Sequence, residues 1–167
     1  MLRLPLRAIR GGSDVTAEEE RDAVVRTVTI DAAPEEVFAF FTDPAKMVLW
    51  KARAAWLEPE PGGLFRIDVN GRSIARGEYV EIDPPRRIVF TWGWEGASHP
   101  MPPGSTTVEI TLRGVGDKTV LTLVHRGIPA SERSRNSEGW DHYLPRLQLA
   151  AAGGDAGSDT WLQADGI

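Results

Sequence analysis

The chain contains no cysteine among its 167 residues, and this absence excludes several kinds of chemistry. Without thiols there is no disulfide framework, no thiolate metal site and no cysteine nucleophile. Long apolar runs are also missing, because no stretch approaches the roughly 18 residues that a membrane span needs. The first ten residues are too short and too interrupted by arginine for a secretory signal. We therefore expect a cytoplasmic protein that does not enter a membrane.

Basic clusters and metal-ligand motifs are missing too. The net charge is −5 and no run of lysine and arginine stands out, so we expect no nucleic acid partner. The three histidines, His99, His125 and His142, form no His-x-x-x-His pair and no Glu-x-x-His set. We therefore expect no metal site and no cofactor. We expect His99 to be solvated and His142 to be exposed or to cap a chain end.

Composition divides the chain into one domain and two appendages. Residues 1–22 mix arginine and leucine with a glycine pair and an acidic cluster, which is typical of a flexible N-terminal extension. Residues 23–152 carry the periodic patterns of an ordered domain. Residues 153–167 are rich in glycine, alanine and aspartate, which indicates a loose tail, with docking of Trp161 and Leu162 left open.

The ordered part begins with a strand and two short helices. Val24–Ile30 is a β-branched run with alternating apolar residues, which predicts the first strand. Pro34 and Pro44 each stand at a first helical position, and Asp43 is a suitable N-cap for the second helix. The helices are short because strand-like patterns resume soon after Trp50.

Six further strands are predicted at 52–58, 64–69, 72–83, 86–94, 105–114 and 118–126. Asn70-Gly71 predicts a two-residue hairpin turn, because both residues tolerate positive φ. Gly77 is a candidate bulge in the next strand. Alternation does not decide whether Tyr79 or Val80 points into the core.

The strand at 86–94 has an unusually aromatic face. Alternation places Ile88, Phe90, Trp92 and Trp94 on the same side of it. This surface is larger than a strand needs to bury its inner side. We therefore expect a long helix, a bound molecule or both to cover it.

A helical period follows the last strand. Trp140, Leu144, Leu147 and Ala151 recur at the spacing of one helix face. Pro145 interrupts this pattern, so we expect a bend there or a helix broken into two pieces. A strand, two short helices, about six strands and a long helix together predict an α+β fold.

These elements and their local sequences resemble the START-like, helix-grip (SRPBCC) superfamily. Within it the chain is similar to the branch named after the activator of heat-shock protein 90 ATPase, in its bacterial single-domain form. The resemblance covers about residues 24–150 and rests on an ordered set of short matches: 33–37, 42–44, Trp50, 61–63, 83–92, 107–112, 121–125 and 139–144. Leu49-Trp50 departs from the pattern, since many relatives carry two adjacent tryptophans there.

The resemblance implies a curved antiparallel sheet of about six or seven strands wrapped around a long C-terminal helix. It also implies a cavity between them that receives an apolar or amphipathic small molecule. We therefore expect a ligand-binding function, with the chain a monomer or a homodimer. The candidate ligand-binding residues are Trp50, Phe65, Ile67, Phe90, Trp92, Trp94, Leu121, Leu123, His125, Trp140, Tyr143 and Leu144.

Two other functions stay open. His125 shares a strand face with Leu121 and Leu123, so it either points into the cavity or is a buried structural histidine. In the cavity it could act as acid or base in an enzyme similar to a polyketide cyclase, dehydratase or hydrolase. The family's name also suggests a co-chaperone module. We do not expect a chaperone partner, because the extra N-terminal domain of the eukaryotic co-chaperones is missing.

Overall fold

The computed structural model describes residues 23–163, and the predicted extension at 1–22 lies outside this range. The described part contains seven strands and four helices. In chain order they are β1 Val24–Ile30, α1 Pro34–Ala39, α2 Pro44–Met47, β2 Ala54–Leu57, β3 Leu64–Asp68, β4 Ile74–Asp83, β5 Arg87–Trp92, β6 Thr106–Val115, β7 Lys118–Arg126, α3 Ala130–Ala151 and α4 Thr160–Gln163.

The seven strands form a single antiparallel sheet in the order β1-β7-β6-β5-β4-β3-β2. The chain therefore moves along the sheet from β2 to β7, and β1 joins the far edge beside β7. The sheet curves around the long helix α3. The predicted α+β, helix-grip architecture is confirmed, including the two short helices after the first strand.

The local signals at the start of the domain work as predicted. The ends of β1 are buried at Val24 and Ile30, while alternate residues between them are exposed. Pro34 and Pro44 begin α1 and α2. The side chain of Asp43 accepts a hydrogen bond from the Ala45 N–H at 2.9 Å, which satisfies one of the free donors of the helix end.

The predicted two-residue turn at Asn70-Gly71 is wrong. The Val69 N–H donates to the Ser73 carbonyl at 2.9 Å, so three residues form the loop. The Asn70 side chain accepts from the N–H groups of Arg72 and Ser73, at 2.9 and 2.7 Å. Gly71 has φ of 88°. The asparagine side chain thus replaces backbone hydrogen bonds that a two-residue turn would have formed.

The structure places the bulge of β4 at Val80, three residues after Gly77. The pairing register with β5 shifts between Tyr79 and Glu81. As a result Tyr79 is fully buried and Val80 is 52% exposed. The Tyr79 hydroxyl donates to the Phe41 carbonyl at 2.7 Å, which joins β4 to the turn after α1. Alternation could not choose between the two residues because a bulge interrupts the period of two.

Helix α3 runs through Pro145 without a break, so the predicted division into two pieces is wrong. A proline inside a helix costs about 3 kcal/mol through the lost hydrogen bond and the ring contact. Buried side chains on both sides of it, Trp140, Tyr143, Leu144 and Leu147, hold the helix against the sheet. Their burial offsets that cost, since each large apolar side chain contributes about 1.5–3 kcal/mol.

The core fills the space between the inner face of the sheet and the helices. Phe65 of β3 and Phe90 of β5 stack with ring centroids 4.1 Å apart, and Tyr79 meets Phe65 edge to face at 5.6 Å. The Trp50 indole donates to the Phe40 carbonyl at 3.1 Å. Within residues 23–163, no helix is long and apolar enough to cross a membrane.

Candidate ligand-binding cavity

A cavity of about 420 Å³ opens at the end of the sheet where β5 finishes. Its wall combines five parts of the chain: the segment between α2 and β2, the β3–β4 connection, the end of β5 with the loop after it, helix α3 and the segment after α3. Aromatic side chains come from three of these parts, namely Trp92, Trp94, Trp140, Tyr143 and Trp161. The volume lies within the roughly 300–1,000 Å³ that small-molecule sites span.

Four of the twelve residues predicted from the sequence line this cavity: Trp92, Trp94, Trp140 and Tyr143. Trp50 borders a second, smaller cavity of about 200 Å³. The seven others are fully buried or nearly so and lie in the packed core, outside the lining of both cavities: Phe65, Ile67, Phe90, Leu121, Leu123, His125 and Leu144.

Lys51 stands at the base of the cavity inside a cage of aromatic rings. Its ammonium nitrogen lies 4.1 Å from the ring centroid of Tyr143, 4.6 Å from Trp140 and 5.1 Å from Trp92. The Trp50 ring is 5.9 Å away. The residue is only 8% exposed, yet it lines both cavities. Negative ring faces attract the ammonium and replace part of its lost hydration.

Burial lowers the pKa of the Lys51 ammonium to about 7 from its ordinary value of 10.5. The carboxylate of Asp159 acts in the opposite direction and raises it. Within residues 23–163 the Lys51 nitrogen forms neither a hydrogen bond nor a salt bridge with another side chain. It is therefore a buried cation without a contacting counter-ion, and its charge changes near neutral pH.

His125 lies behind the aromatic wall, where both of its ring nitrogens are engaged. The Trp140 indole N–H donates to Nδ1 at 3.0 Å, so Nδ1 carries no proton. The neutral ring must then carry its proton on Nε2, which contacts the Thr106 hydroxyl at 2.8 Å. That hydroxyl in turn donates to the Trp92 carbonyl at 2.7 Å. A continuous donor-to-acceptor chain thus connects α3, β7, β6 and β5.

The surroundings of His125 favour the structural alternative over the catalytic one. Burial, followed by the charge of Lys51, lowers the pKa of the imidazole to about 3. The side chain is fully buried and does not line either cavity. A substrate would have to break a buried hydrogen bond before it could reach either nitrogen, at a cost of about 1–3 kcal/mol. An acid–base role for His125 remains a prediction.

The segment after α3 is held against the helix by polar contacts. Asp159 accepts a hydrogen bond from the Tyr143 hydroxyl at 2.7 Å and contacts His142 Nε2 at 2.6 Å. Trp161 stacks on the His142 ring at 4.0 Å between centroids. The Arg146 guanidinium bonds the carbonyls of Trp50, Ala156 and Gly157. Although the sequence indicated a loose tail from residue 153, residues 156–161 pack against the domain, and 164–167 lie outside the described residues.

Contacts of this segment also shift the pKa values of the ionisable groups around it. Burial opposes the ionisation of Asp159, but hydrogen bonds from Tyr143 and His142 keep its pKa below the ordinary value. Burial and the bond to Asp159 raise the pKa of the Tyr143 hydroxyl. His142, expected to be exposed or capping, instead has a side chain that is 17% exposed and engaged by Asp159.

Charged side chains also line the cavity, among them Glu95, Glu132 and Arg135. The Glu95 carboxylate pairs with Arg66 at 2.8 Å and with Arg76 at 3.4 Å, and these contacts lower its pKa. Glu132 lies 3.6 Å from Arg135. In residues 23–163 no group of three or more histidine and carboxylate side chains is arranged to hold a metal ion.

Sequence reasoning missed Lys51 and Asp159, two residues that shape the site, and it allowed Trp161 to dock without placing it at the cavity. Lysine and aspartate are rarely buried, so neither type suggests a site without knowledge of its neighbours. Trp161 and Leu162 follow a stretch of small and polar residues that predicts no regular structure. A buried Lys51 could be found only by placing three distant aromatic residues and its neighbour Trp50 around it, which requires the fold.

The seven-stranded antiparallel sheet around a long C-terminal helix defines the class of this domain, the helix-grip fold. Residues 31–152 match the sequence profile of the family described as "Activator of Hsp90 ATPase homolog 1-like protein". The chain belongs to this family.

Known relatives agree with this assignment. The chain is 31% identical over 116 residues to the human Activator of 90 kDa heat shock protein ATPase homolog 1, covering 69% of this chain and 32% of that protein. It thus spans about a third of the curated relatives' length. An AHSA1-like protein from Rhizobium etli, solved in solution, is 45% identical with a TM-score of 0.66, covering 82% of this chain and 86% of its own. A protein of the dynemicin biosynthetic locus is 26% identical with a TM-score of 0.70, covering 83% and 50%.

Proposed function

We propose that the domain binds an apolar or amphipathic small molecule in the 420 Å³ cavity beside β5. The observation that carries this proposal is the convergence of five aromatic side chains on one cavity, from β5, the loop after it, α3 and the C-terminal segment. Four of the five are tryptophans, which offer a ligand both apolar area and an N–H donor.

The fold already uses much of the aromatic surface of β5 for its own packing. Phe90 is fully covered by Phe65 and its neighbours, whereas Trp94 remains partly exposed next to Trp92 at 5.3 Å. A ligand would therefore bury the end of this face. Burial of apolar area contributes about 25 cal/mol per Å², less the entropy lost on association.

A cavity-filling variant tests the proposal directly. Gly139 lines the cavity from α3, and a Cβ atom built there meets no atom within 4 Å. Gly139→Leu should therefore fill part of the space without disturbing the core. The matched control is Glu138→Leu, which places the same side chain on the exposed neighbouring position.

Native mass spectrometry of the protein from its own host should detect a bound molecule, and an apolar compound library should raise the melting temperature of the wild type. We expect Gly139→Leu to lose at least tenfold in affinity and Glu138→Leu to bind like the wild type. Equal binding by all three proteins would contradict the cavity as the binding site, and absence of any ligand would contradict the function.

A second candidate is stimulation of a chaperone ATPase, supported by the 31% identity to the human activator of the 90 kDa heat shock protein ATPase. This chain corresponds to about a third of that relative's length, so the relative's activity need not reside in the matching part. An ATPase assay with the host's own 90 kDa chaperone tests it. Stimulation that survives Gly139→Leu would favour the chaperone function over the cavity function.

A further inference from the structure

The cavity lining carries more positive than negative side chains, a feature that is separate from its aromatic wall. Its lining carries three cationic side chains, Lys51, Arg72 and Arg135, against two carboxylates, Glu95 and Glu132. Both carboxylates lie beside arginines, at 2.8 and 3.6 Å. This excess of positive charge occurs in a chain whose net charge is −5.

The strongest element of this bias is Lys51. A buried ammonium is stable only with an opposite charge, a set of acceptors or a shift to its neutral form. Here the four surrounding rings supply only part of the missing solvation, and no acceptor among residues 23–163 contacts the nitrogen. The nearest compensating charge is Asp159, which acts on Lys51 without a hydrogen bond and is itself engaged by Tyr143.

A second donor on the same wall also lacks a partner. The indole N–H of Trp92 is buried and has no acceptor in the described part of the chain. The Lys51 nitrogen lies 5.1 Å from the centroid of that ring. The base of the cavity therefore has more hydrogen-bond donors than acceptors, and an unsatisfied buried donor costs about 1–3 kcal/mol.

We propose that the ligand is an amphipathic carboxylate whose acidic group pairs with Lys51 while its apolar body lies against the tryptophans. The inference deepens the proposed function and rests on it. A carboxylate supplies the counter-ion and the acceptor that the base of the cavity lacks. A neutral apolar molecule would leave the ammonium unpaired and more deeply desolvated, so it would bind less tightly.

This pairing predicts a specific dependence of affinity on pH. Since the free lysine has a pKa of about 7, roughly ten-elevenths of it is charged at pH 6 and one-eleventh at pH 8. An anion that requires the charged form should bind about tenfold more weakly at pH 8 than at pH 6. Protons should be taken up on binding at pH 8, because the anion raises the pKa of the lysine.

Other ionisable groups face Lys51 or the cavity, and most keep one charge state over this range. His125 stays neutral, the carboxylate of Asp159 stays ionised, and the Tyr143 hydroxyl keeps its proton. The remaining charged and titratable groups on the cavity wall or beside Asp159 are Arg72, Glu95, His99, Glu132, Arg135, His142 and Arg146. The test therefore needs a variant that keeps all of these groups and removes only the titration of Lys51.

Naphthoic acid and naphthamide are suitable probes, because they share one shape and differ in charge. Calorimetric titration at pH 6 and pH 8 would measure both dissociation constants for the wild type, Lys51→Met and Lys51→Arg. Lys46→Met is the matched control, since that lysine lies over the Phe40 ring on the surface at 5.1 Å.

At pH 6 we expect the wild type and Lys46→Met to bind the acid about ten- to a hundredfold more tightly than the amide. Lys51→Met should lose this preference. Lys51→Arg, whose charge is permanent, should keep the preference at both pH values. Equal binding of acid and amide by the wild type would overturn the inference but leave the proposed function standing. A tenfold difference in affinity for the acid between pH 6 and pH 8 that persists in Lys51→Arg would also overturn the inference. Failure of both probes to bind would contradict the proposed function and the inference together.

Discussion

The indole N–H of Trp140 donates a hydrogen bond to Nδ1 of His125 across 3.0 Å of buried space. This contact joins the long helix to β7 and determines the tautomer of the imidazole. An acid–base mechanism through Nδ1 would have to break this bond first. The pair supports the structural interpretation of His125, whose side chain is fully buried and lines neither cavity.

Removal of this donor should destabilise the fold. Trp140→Phe keeps an aromatic ring but leaves His125 Nδ1 without a partner, so we expect a loss of about 1–3 kcal/mol in urea unfolding. Trp56→Phe is the control, because Trp56 is 46% exposed and should change stability by about 0.5 kcal/mol or less. Equal small effects from the two variants would show that the Trp140 bond contributes little.

The buried charge of Lys51 predicts how stability depends on pH. Its folded-state pKa of about 7 lies below the 10.5 of the unfolded chain, so between these values the unfolded state binds more protons. The free energy of unfolding should therefore rise with pH across this window. Below pH 7 the free-energy cost of burying the charged lysine has its full value. Lys51→Met removes this cost, which is on the order of 5 kcal/mol if the whole shift applies.

We therefore expect the stability gain of Lys51→Met over the wild type to be largest near pH 6 and to shrink toward pH 10. Denaturant unfolding at several pH values measures this difference, and subtraction cancels groups that titrate equally in both proteins. Lys46→Met, the same substitution at a lysine outside the aromatic cage, is the matched control. A flat difference for Lys51→Met would show that the ammonium is not desolvated.

Asp159 should affect both the packing of the C-terminal segment and the pKa of Lys51. Asp159→Asn keeps the size of the side chain but removes the carboxylate that raises the pKa of Lys51. We expect the pKa of Lys51 to fall below about 7, as measured by NMR titration of its side-chain nitrogen. Amide hydrogens around Trp161 should also exchange faster, because the bond from Tyr143 weakens. An unchanged lysine pKa would contradict the long-range interaction with Asp159.

Replacement by alanine should lower the stability of the fold at Gly77 and raise it at Gly139. A Cβ atom at Gly77 would lie 1.9 Å from the Thr91 carbonyl oxygen, so Gly77→Ala must separate two paired strands. We expect a loss of more than about 2 kcal/mol, which is typical of an overpacked site. Gly139 lies inside α3 with open space around it, so Gly139→Ala should raise stability by about 0.5–1 kcal/mol. Thermal unfolding of both variants provides the comparison, and a stable Gly77→Ala would mean that the strands yield easily.

Local patterns predicted much of the fold correctly. Pro34, Pro44 and Asp43 mark the two short helices because their effects act within one turn. Alternation predicted β7 at its observed bounds, since neighbouring residues alone decide which face is apolar. Two features depend on more than the local pattern: a bulge at Val80 shifts the register where alternation left Tyr79 and Val80 undecided, and packing against the sheet keeps the helix intact at Pro145.

Fewer of the cavity-lining residues were predicted correctly, because lining depends on how closely the helix packs against the sheet. Trp92 and Trp94 could be expected near its mouth because they end a strand before a proline-rich loop. Leu121, Leu123 and His125 share the correct inner face of β7, but that face is covered by α3 and filled. Alternation in the sequence shows which face of the sheet a residue lies on. It does not show where the close packing of α3 against that face ends and the cavity begins.

The sequence by itself determined the order of elements, the inner face of most strands and the family. It did so because strand alternation, proline at helix starts and aromatic spacing are properties of neighbouring residues. The tertiary structure alone decided that the rings of Trp50, Trp92, Trp140 and Tyr143 surround Lys51, and that Asp159 lies near enough to act on its charge. Desolvation and electrostatic interaction depend on distances between residues far apart in the chain, so only the folded molecule lowers the pKa of an otherwise ordinary lysine.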